Sequence, residues 1–126
     1  MDLDKGITEI NKELIIKPNY TFDEFKRTKY YTNQDGIRII NLEGPQCINN
    51  RNYIVSIFFR DGIIYMLSLI GCDEEYKAED EPKRKEYHDR ILEELGVHNN
   101  EEYTWGSIKS IYDARSNLSS INITYR

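Results

Sequence analysis

The chain has 126 residues, of which 39% are hydrophobic, 31% are charged and 12% are aromatic, with only 7 glycines and 3 prolines. This composition excludes collagen-like and low-complexity chains, and the aromatic content argues against disorder. A chain of this length buries enough surface for one hydrophobic core, so we expect a single domain over residues 1–126.

The formal net charge of -5 is concentrated in one segment. Residues 73–102 hold twelve acidic and five basic side chains, whereas residues 1–72 are neutral and residues 103–126 carry two excess positive charges. A negative surface disfavours nucleic acid and anionic membranes, which both attract Lys and Arg. It favours a basic protein as partner, because opposite charge speeds the encounter of two proteins.

The start of the chain bears on where the protein acts. Its first residues, MDLD, lack the basic region and the apolar stretch of a signal peptide, and no apolar run reaches the roughly 18 residues of a transmembrane helix. We therefore expect a cytoplasmic protein that does not bind a membrane. In that compartment Cys47 and Cys72 are expected to be reduced thiols that are buried or half-buried.

The N-terminal region is predicted to be mainly helical. Four apolar residues of the first 14 positions share one helical stripe, although Gly6 weakens it: Leu3, Ile7, Ile10 and Leu14. Residues 14–17 (LIIK) then predict a brief strand. The next helix begins at Thr21, which forms a capping box with Glu24 and is flanked by Tyr20 and Phe25 as a hydrophobic staple. We expect this second helix to span residues 22–28.

Residues 30–70 change to a strand pattern. Residues 30–32 and 37–42 flank the turn-forming NQDG and predict a first hairpin. Residues 53–60 and 63–70 flank Asp61 and Gly62, the signature of a two-residue type I′ turn, which pairs Arg60 with Ile63 and Phe59 with Ile64.

The two faces of this central hairpin are both apolar when the pairing continues without a break. One face then carries Tyr53, Val55, Ile57, Phe59, Ile64, Met66 and Ile70, with Ser68 as its one polar member. The other carries Ile54, Phe58, Tyr65, Leu67 and Leu69 beside Ser56 and Arg60. We therefore expect helices over one face of the sheet and at least partial cover over the other.

The last third of the chain predicts an acidic loop, a helix and a second hairpin. Residues 73–81 (DEEYKAEDE) have no apolar period and are expected to form a solvated loop. The helix should span residues 82–95, with Pro82 at its first position and Gly96 as its left-handed cap. Residues 103–126 alternate in polarity and predict a long hairpin whose turn begins at Asp113.

Together these elements predict an α+β fold. We expect a mostly antiparallel sheet of five to seven strands, with the helix of residues 82–95 and the short N-terminal helices packed on one face.

Two groups of residues are candidates for binding a partner. The first is the acidic segment, with Asp73, Glu74, Glu75, Glu79, Asp80 and Glu81, supported by Glu93, Glu94, Glu101 and Glu102. The second is the turn of the last hairpin, with Asp113, Arg115 and Asn117. We expect these residues to form a recognition loop near the acidic segment, because exposed loops on rigid strands commonly bind partners.

Catalytic signatures are missing from the sequence. It contains no nucleophile elbow, phosphate-binding loop or dinucleotide fingerprint, and the acidic segment has Lys77 where a calcium loop requires an oxygen ligand. His88 and His98 are the candidates for a general base or metal ligand, but no paired metal-ligand spacing is present. We expect His88 to be a solvated helix residue, and we predict no catalytic residue, metal or cofactor.

Three stretches carry a resemblance to known proteins: residues 20–25 (YTFDEF), residues 59–62 (FRDG) and the tail from residues 103–106 (YTWG) to Tyr125. In these stretches the chain resembles a group of small uncharacterised bacterial proteins that includes candidate immunity partners of contact-dependent or polymorphic toxins. The resemblance implies a cytosolic protein that binds another protein, with a basic nuclease toxin as the partner that an acidic surface suits. It implies no catalytic residue.

Three hypotheses of function remain open at this point. The first is a non-enzymatic protein-binding module, such as an immunity or inhibitor protein that neutralises a basic toxin. The second is a small-ligand-binding protein or a metal-assisted enzyme that uses His88, His98 or a cleft in the sheet. The third is a structural or self-associating domain, because the tail forms a regular exposed strand.

Overall fold

The computed structural model describes residues 1–97 and 101–126. In chain order the elements are β1 (Thr8–Glu9), β2 (Ile15–Ile16), α1 (Phe22–Phe25), β3 (Ile39–Asn41), β4 (Gln46–Ile48), β5 (Arg51–Arg60), β6 (Ile63–Gly71), a 3-10 turn (Ala78–Asp80), α2 (Glu81–Glu94), β7 (Glu101–Tyr103), β8 (Gly106–Asp113) and β9 (Leu118–Tyr125).

The architecture is α+β, as the sequence predicts. Seven strands form an antiparallel sheet in the order β3-β5-β6-β9-β8-β7, and β4 pairs with β5 beside β3. Strands β1 and β2 form a small separate hairpin. The main sheet has seven strands, within the predicted five to seven. The predicted main helix is also confirmed, and α2 begins one residue earlier than expected.

The predicted N-terminal helix is wrong. Residues 2–7 form a tight loop in which Asp2 and Ile7 bridge each other, and Gly6 turns the chain with a φ of 71°. Leu14 and Ile16 are fully buried, but they reach the core from the turn between β1 and β2 and from β2 itself. The four residues of the apolar stripe therefore lie in the loop and turns around β1 and β2, and none of them is helical.

The second N-terminal helix forms as predicted but is shorter. Thr21 and Glu24 make both hydrogen bonds of the capping box, and α1 ends at Phe25. Tyr20 and Phe25, the staple residues, both pack against Phe59, with ring centroids 6.3 and 6.1 Å away. The Thr28 hydroxyl donates to the Phe25 carbonyl at 2.8 Å and ends the helix in a turn.

The predicted first hairpin is also wrong. Residues 30–32 are not a strand, because the Gln34 side chain bonds their backbone. Its Nε2 donates to the Tyr30 carbonyl at 3.1 Å, and its Oε1 accepts from the Thr32 N–H at 2.6 Å. Strand β3 pairs instead with β5, placing Ile40 opposite Ile57.

The central hairpin has the predicted turn but not the predicted faces. Asp61 and Gly62 both have positive φ, at 54° and 77°, and Arg60 pairs with Ile63 and Phe59 with Ile64. The register then shifts by one, because Tyr65 is an extra residue in β6. Beyond this bulge the buried residues of β6 are Leu67 and Leu69, whereas Met66 and Ile70, predicted to share their face with Tyr53, point to the other side.

The core lies on one face of the sheet only. Helix α2 covers this face with His88, Ile91 and Leu92, and the N-terminal loop packs on the same side, where Met1 and Leu3 line an apolar space with Tyr53 and Leu69. The C-terminal end of α2 has the predicted cap, in which Gly96 has a φ of 75° and the Val97 N–H donates to the Leu92 carbonyl.

No helix or loop within residues 1–97 and 101–126 packs over the opposite face of the sheet, so the predicted partial cover is wrong. We call it the open face, and it consists of side chains from five adjacent strands: Ile39, Asn41, Ile54, Ser56, Phe58, Arg60, Met66, Ser68, Ile70, Ser107, Lys109, Ile111, Ser120, Asn122 and Thr124. Of these side chains only Ser107 is buried.

The tail forms the predicted hairpin, with β7 added at its edge. Strand β9 alternates as expected, since Ser119, Ile121, Ile123 and Tyr125 are all buried. Trp105 anchors the sheet to the N-terminal loop, because its indole N–H is shared between the carbonyls of Leu3 and Asp4, at 3.1 and 3.0 Å.

Candidate functional site

The acidic segment joins β6 to α2 at one end of the sheet. Glu74, Glu75 and Glu79 are exposed there. Asp80 and Lys83 form an ion pair at 3.4 Å on the first turn of α2. Within residues 1–97 and 101–126, none of these three glutamates forms an ion pair, so each presents an uncompensated negative charge to solvent.

Asp73 has a structural role at the start of this segment. Its Oδ1 accepts hydrogen bonds from the backbone and the side chain of Asn52, at 3.1 and 3.0 Å, and its Oδ2 accepts from the Tyr87 hydroxyl at 2.9 Å. Burial opposes the charge of Asp73, but these hydrogen bonds and the Arg51 guanidinium outweigh it and lower the pKa of the carboxyl below its ordinary value. Asp73 thus ties the segment to β5 and α2.

Glu81 is the second anchor of the segment and is buried, so the predicted solvated loop is wrong at this residue. Its carboxylate accepts from the Ser119 N–H at 3.0 Å, and its carbonyl accepts from the Ser119 hydroxyl at 3.0 Å. The Arg84 guanidinium lies 3.5 Å from the same carboxylate and supplies the opposite charge. Glu81 holds the start of α2 on β9 and is not available to a partner.

The turn between β8 and β9 lies against the acidic segment, as predicted. The Asn117 side chain donates to the Ala78 carbonyl at 2.8 Å and accepts from the Tyr112 hydroxyl at 2.8 Å. The Asp113 carboxylate accepts from the Arg115 N–H at 3.0 Å and so opens the turn, as predicted. Both regions therefore form one continuous surface, which we call the acidic end and define by residues 73–81 and 113–117.

The supporting glutamates take different positions. Glu94 pairs with Arg51, whose guanidinium also donates to the Tyr87 hydroxyl at 3.2 Å, so Glu94 is connected to the Asp73 network. Glu102 pairs with Arg126 at 2.9 Å on the edge of the sheet, Glu93 is exposed on α2, and Glu101 lies on β7. The structure thus brings only part of the negative segment together at the acidic end.

The network of Arg51, Asn52, Asp73 and Tyr87 was missed at the level of sequence. The hairpin register contains part of the signal, because Tyr53 opposite Gly71 places Asn52 beside the residues that follow β6. No local pattern in the sequence indicates that the Tyr87 hydroxyl joins this network.

The prediction that His88 is solvated is wrong. The side chain is 0% exposed, and its Nε2 accepts the Gly71 N–H at 2.9 Å. Burial, helped by the positive charge of Arg84, lowers the pKa of His88 to about 4. His98 lies outside the described residues. Within the described residues, no group of three or more His, Cys, Asp and Glu side chains could hold a metal ion.

The two cysteines differ in environment. Cys47 is exposed on β4, which contradicts the prediction of a buried or half-buried thiol, and Cys72 is half-buried as predicted. Burial raises the pKa of the Cys72 thiol, with the neighbouring Asp73 adding to the effect. A raised pKa keeps the thiol protonated, which makes Cys72 a poor nucleophile.

Comparison with known proteins adds no relative: no family model, curated protein or solved structure matches this chain. Across residues 1–97 and 101–126, no helix is both long enough and apolar enough to cross a membrane.

Proposed function

We propose that the protein is a non-enzymatic protein-binding module that takes a basic protein on its acidic end. The observation that carries this proposal is the position of Glu74, Glu75 and Glu79, which are exposed and form no ion pair among the described residues. Such charges strengthen association and speed encounter with a cationic surface.

The way the acidic segment is held supports this proposal. Asp73 and Glu81 anchor its two ends, and Asn117 holds its middle at Ala78. A segment ordered by its own contacts loses less conformational entropy when a partner binds. Asp73 and Glu81 are engaged in contacts within the fold. The three exposed glutamates between them remain free to contact the partner.

The class of partner follows from the resemblance to candidate immunity proteins. A nuclease toxin needs Lys and Arg to hold the phosphate backbone of its substrate. An acidic surface that covers those cations would exclude the nucleic acid, so we propose a cytoplasmic inhibitor of such a toxin.

The test measures binding to a basic protein encoded next to this chain, above all a toxin with a C-terminal nuclease domain. The triple variant Glu74→Gln, Glu75→Gln, Glu79→Gln should weaken binding by at least about tenfold in calorimetry, since rim charges contribute roughly 0.5 kcal/mol or more each. The wild-type affinity should fall as salt is raised, and the triple variant should lose most of this dependence.

The matched control is the triple variant Glu9→Gln, Asp23→Gln, Glu43→Gln. It removes the same number of exposed carboxylates from surfaces away from the acidic end. Equal weakening by both triple variants would show that only net charge matters, and unchanged affinity in the first would reject the proposed surface.

A further inference from the structure

We propose that a cavity beside the β5–β6 turn binds a free α-amino acid with an aromatic side chain. The cavity, which we call the turn cavity, has a volume of about 260 Å³, and its lining includes Phe22, Arg38, Phe59 and Asp61. It lies at the opposite end of β6 from the acidic segment, so this inference does not depend on the partner proposed above.

Two phenylalanine rings form the floor of the turn cavity. Phe59 is buried near the end of β5, and Phe22 is half-buried at the first position of α1. Their ring centroids lie 5.4 Å apart in an edge-on arrangement. A concave site with an apolar floor and a few polar groups is typical of small-molecule binding. Aromatic rings also attract one another edge to face, so this floor favours a ligand that carries a ring.

Arg38 and Asp61 place opposite charges on the rim of the turn cavity. The Phe59 N–H donates to the Arg38 carbonyl at 2.7 Å, which places Arg38 opposite Phe59 on the face of the sheet that carries the core. Asp61 lines the cavity from the turn, and both charged residues are exposed. Across residues 1–97 and 101–126, neither side chain forms an ion pair or a hydrogen bond. Each charge is therefore available to a ligand.

The walls of the turn cavity are held by backbone hydrogen bonds. On one side the Ile37 N–H donates to the Gln34 carbonyl at 3.1 Å, which turns the chain into the start of β3. On the other side the Phe22 N–H donates to the Gly62 carbonyl at 2.9 Å and ties α1 to the hairpin turn. Walls that are ordered before a ligand arrives reduce the entropy lost on binding.

The two free charges and the aromatic floor together define the class of ligand. An α-amino acid carries a carboxylate, an ammonium group and a side chain on one carbon atom. The Arg38 guanidinium donates charge-assisted hydrogen bonds to the carboxylate, and the Asp61 carboxylate accepts them from the ammonium group. The side chain then rests on the two phenylalanine rings.

Other ligands satisfy only part of this arrangement. A lysine or arginine side chain of a protein partner would pair with Asp61 and leave Arg38 without a counter-charge, and a simple anion would do the reverse. The size of the cavity, about 260 Å³, is just below the roughly 300 Å³ at which sites for drug-sized ligands begin. It therefore suits a molecule of about a dozen heavy atoms, such as an aromatic amino acid.

The experiment titrates the full chain with L-phenylalanine up to about 50 mM and follows the backbone amides by two-dimensional NMR. The dissociation constant should be of the order of 1 mM, the affinity that about a dozen heavy atoms typically supply. The amide signals of Gly36 and Gly62, which line the cavity, should shift. The signal of Gly71, at the far end of β6, should stay in place.

Two analogues and two variants assign each charge. Phenylpropionate keeps the carboxylate without the ammonium group, and phenethylamine keeps the ammonium group without the carboxylate. Arg38→Gln should weaken the binding of L-phenylalanine and phenylpropionate at least about fivefold and leave phenethylamine unchanged. Asp61→Asn should weaken L-phenylalanine and phenethylamine and leave phenylpropionate unchanged. Asn is favoured at this turn position as Asp is, so the second variant keeps the hairpin.

The matched control is Arg115→Gln, which removes an exposed cation from the β8–β9 turn and should leave binding unchanged. The dispersion of each NMR spectrum shows whether the variant is folded. The proposal is overturned if the Gly36 and Gly62 signals do not shift over the whole titration, or if Arg38→Gln and Arg115→Gln weaken binding alike. It is also overturned if N-acetyl-L-phenylalanine binds as well as the free amino acid, which would assign the cavity to the carboxyl terminus of a peptide.

Discussion

At the scale of single residues, His88 is the position where the protein departs most from its sequence pattern. Its ring packs against Gly71, where an added Cβ would lie 3.3 Å from Nε2 and 2.9 Å from the Tyr87 ring. Because Nε2 accepts the Gly71 N–H, the neutral ring carries its proton on Nδ1. The interior therefore requires a neutral imidazole at this site.

This requirement predicts a pH dependence of stability. The pKa of His88 is about 4 in the folded chain and 6.5 in the unfolded chain, so between these values the unfolded chain binds more protons. The contribution of the neutral His88 to stability is complete above pH 6.5, is lost as the pH falls to 4, and changes no further below it. The total loss is about 3 kcal/mol.

The measurement is urea unfolding at a series of pH values for the wild type and His88→Gln. The variant should be less stable at pH 7, but the difference between the two proteins should shrink as the pH falls from 6.5 to 4, since only the wild type pays the cost of protonation. A constant difference would contradict the role given to His88.

At the scale of elements, the bulge at Tyr65 decides which residues of β6 form the core. Ile64 packs on the Phe59 side of the hairpin, and Leu67 and Leu69 are of opposite parity to it along the strand. An uninterrupted register would bury Ser68 with Val55, at a cost of roughly 1–3 kcal/mol for its hydroxyl. One extra residue brings both leucines and Ile64 to the same face.

Two single-residue deletions, of Tyr65 and of Ser68, shorten β6 equally. They test whether Tyr65 only corrects which side chains of β6 face the core. Without Tyr65, Ile64 and Leu67 are two positions apart and point to the same face of the strand. The free energy of unfolding should therefore fall by less than about 2 kcal/mol, through loss of the ring contacts with Phe58 and Arg60. Without Ser68, Leu67 and Leu69 become neighbours, and one of them leaves the core at a cost of about 3 kcal/mol or more.

Thermal and urea unfolding of both deletions would measure these costs. A larger loss for the Tyr65 deletion than for the Ser68 deletion would mean that the bulge is required for the fold itself and does more than correct the register.

Local signals of the sequence predicted the elements that depend on neighbouring residues. The Thr21 capping box, the Asp61–Gly62 turn and the Gly96 cap all formed as expected, because each is a contact within a few residues. Errors occurred where distant contacts decide the structure. The helical stripe at the N-terminus and the solvated His88 both failed because burial against the sheet outweighs spacing.

The candidate site shows the same division. The binding hypothesis placed the β8–β9 turn near the acidic segment, and Asn117 joins the two. Sequence alone could not separate the anchors from the exposed acids, because Glu81 and Glu79 are chemically alike and differ only in that Glu81 faces Ser119.

At the scale of the whole molecule, the two ends of the chain close on each other. Trp105 lies between Tyr103, stacked at 5.1 Å, and Tyr125, at 5.4 Å. The Tyr125 hydroxyl donates to the Gly6 carbonyl at 2.9 Å, and the Trp105 indole binds the carbonyls of residues 3 and 4. The N-terminal loop is thus held by the last hairpin through contacts about 100 residues apart in sequence.

This closure depends on Gly6, and a pair of glycine variants tests it. A Cβ at Gly6 would lie 2.6 Å from the Trp105 ring, whereas a Cβ at Gly44 would meet nothing within 4 Å. Both glycines have a left-handed φ, 71° and 69°, so replacement by Ala costs about 1 kcal/mol of backbone strain at either site. The excess loss in Gly6→Ala should be about 2 kcal/mol, because the ring must move.

The single tryptophan makes the displacement visible. Gly6→Ala should shift the Trp105 emission to longer wavelength as the loop separates from the hairpin, and Gly44→Ala should leave the emission unchanged. Equal losses of stability in the two variants, with no change in emission, would mean that the loop adapts without releasing the ring. A shift confined to Gly6→Ala would instead show that the close approach of Gly6 to the Trp105 ring is needed for the last hairpin to hold the N-terminal loop, so that the two ends of the chain order each other.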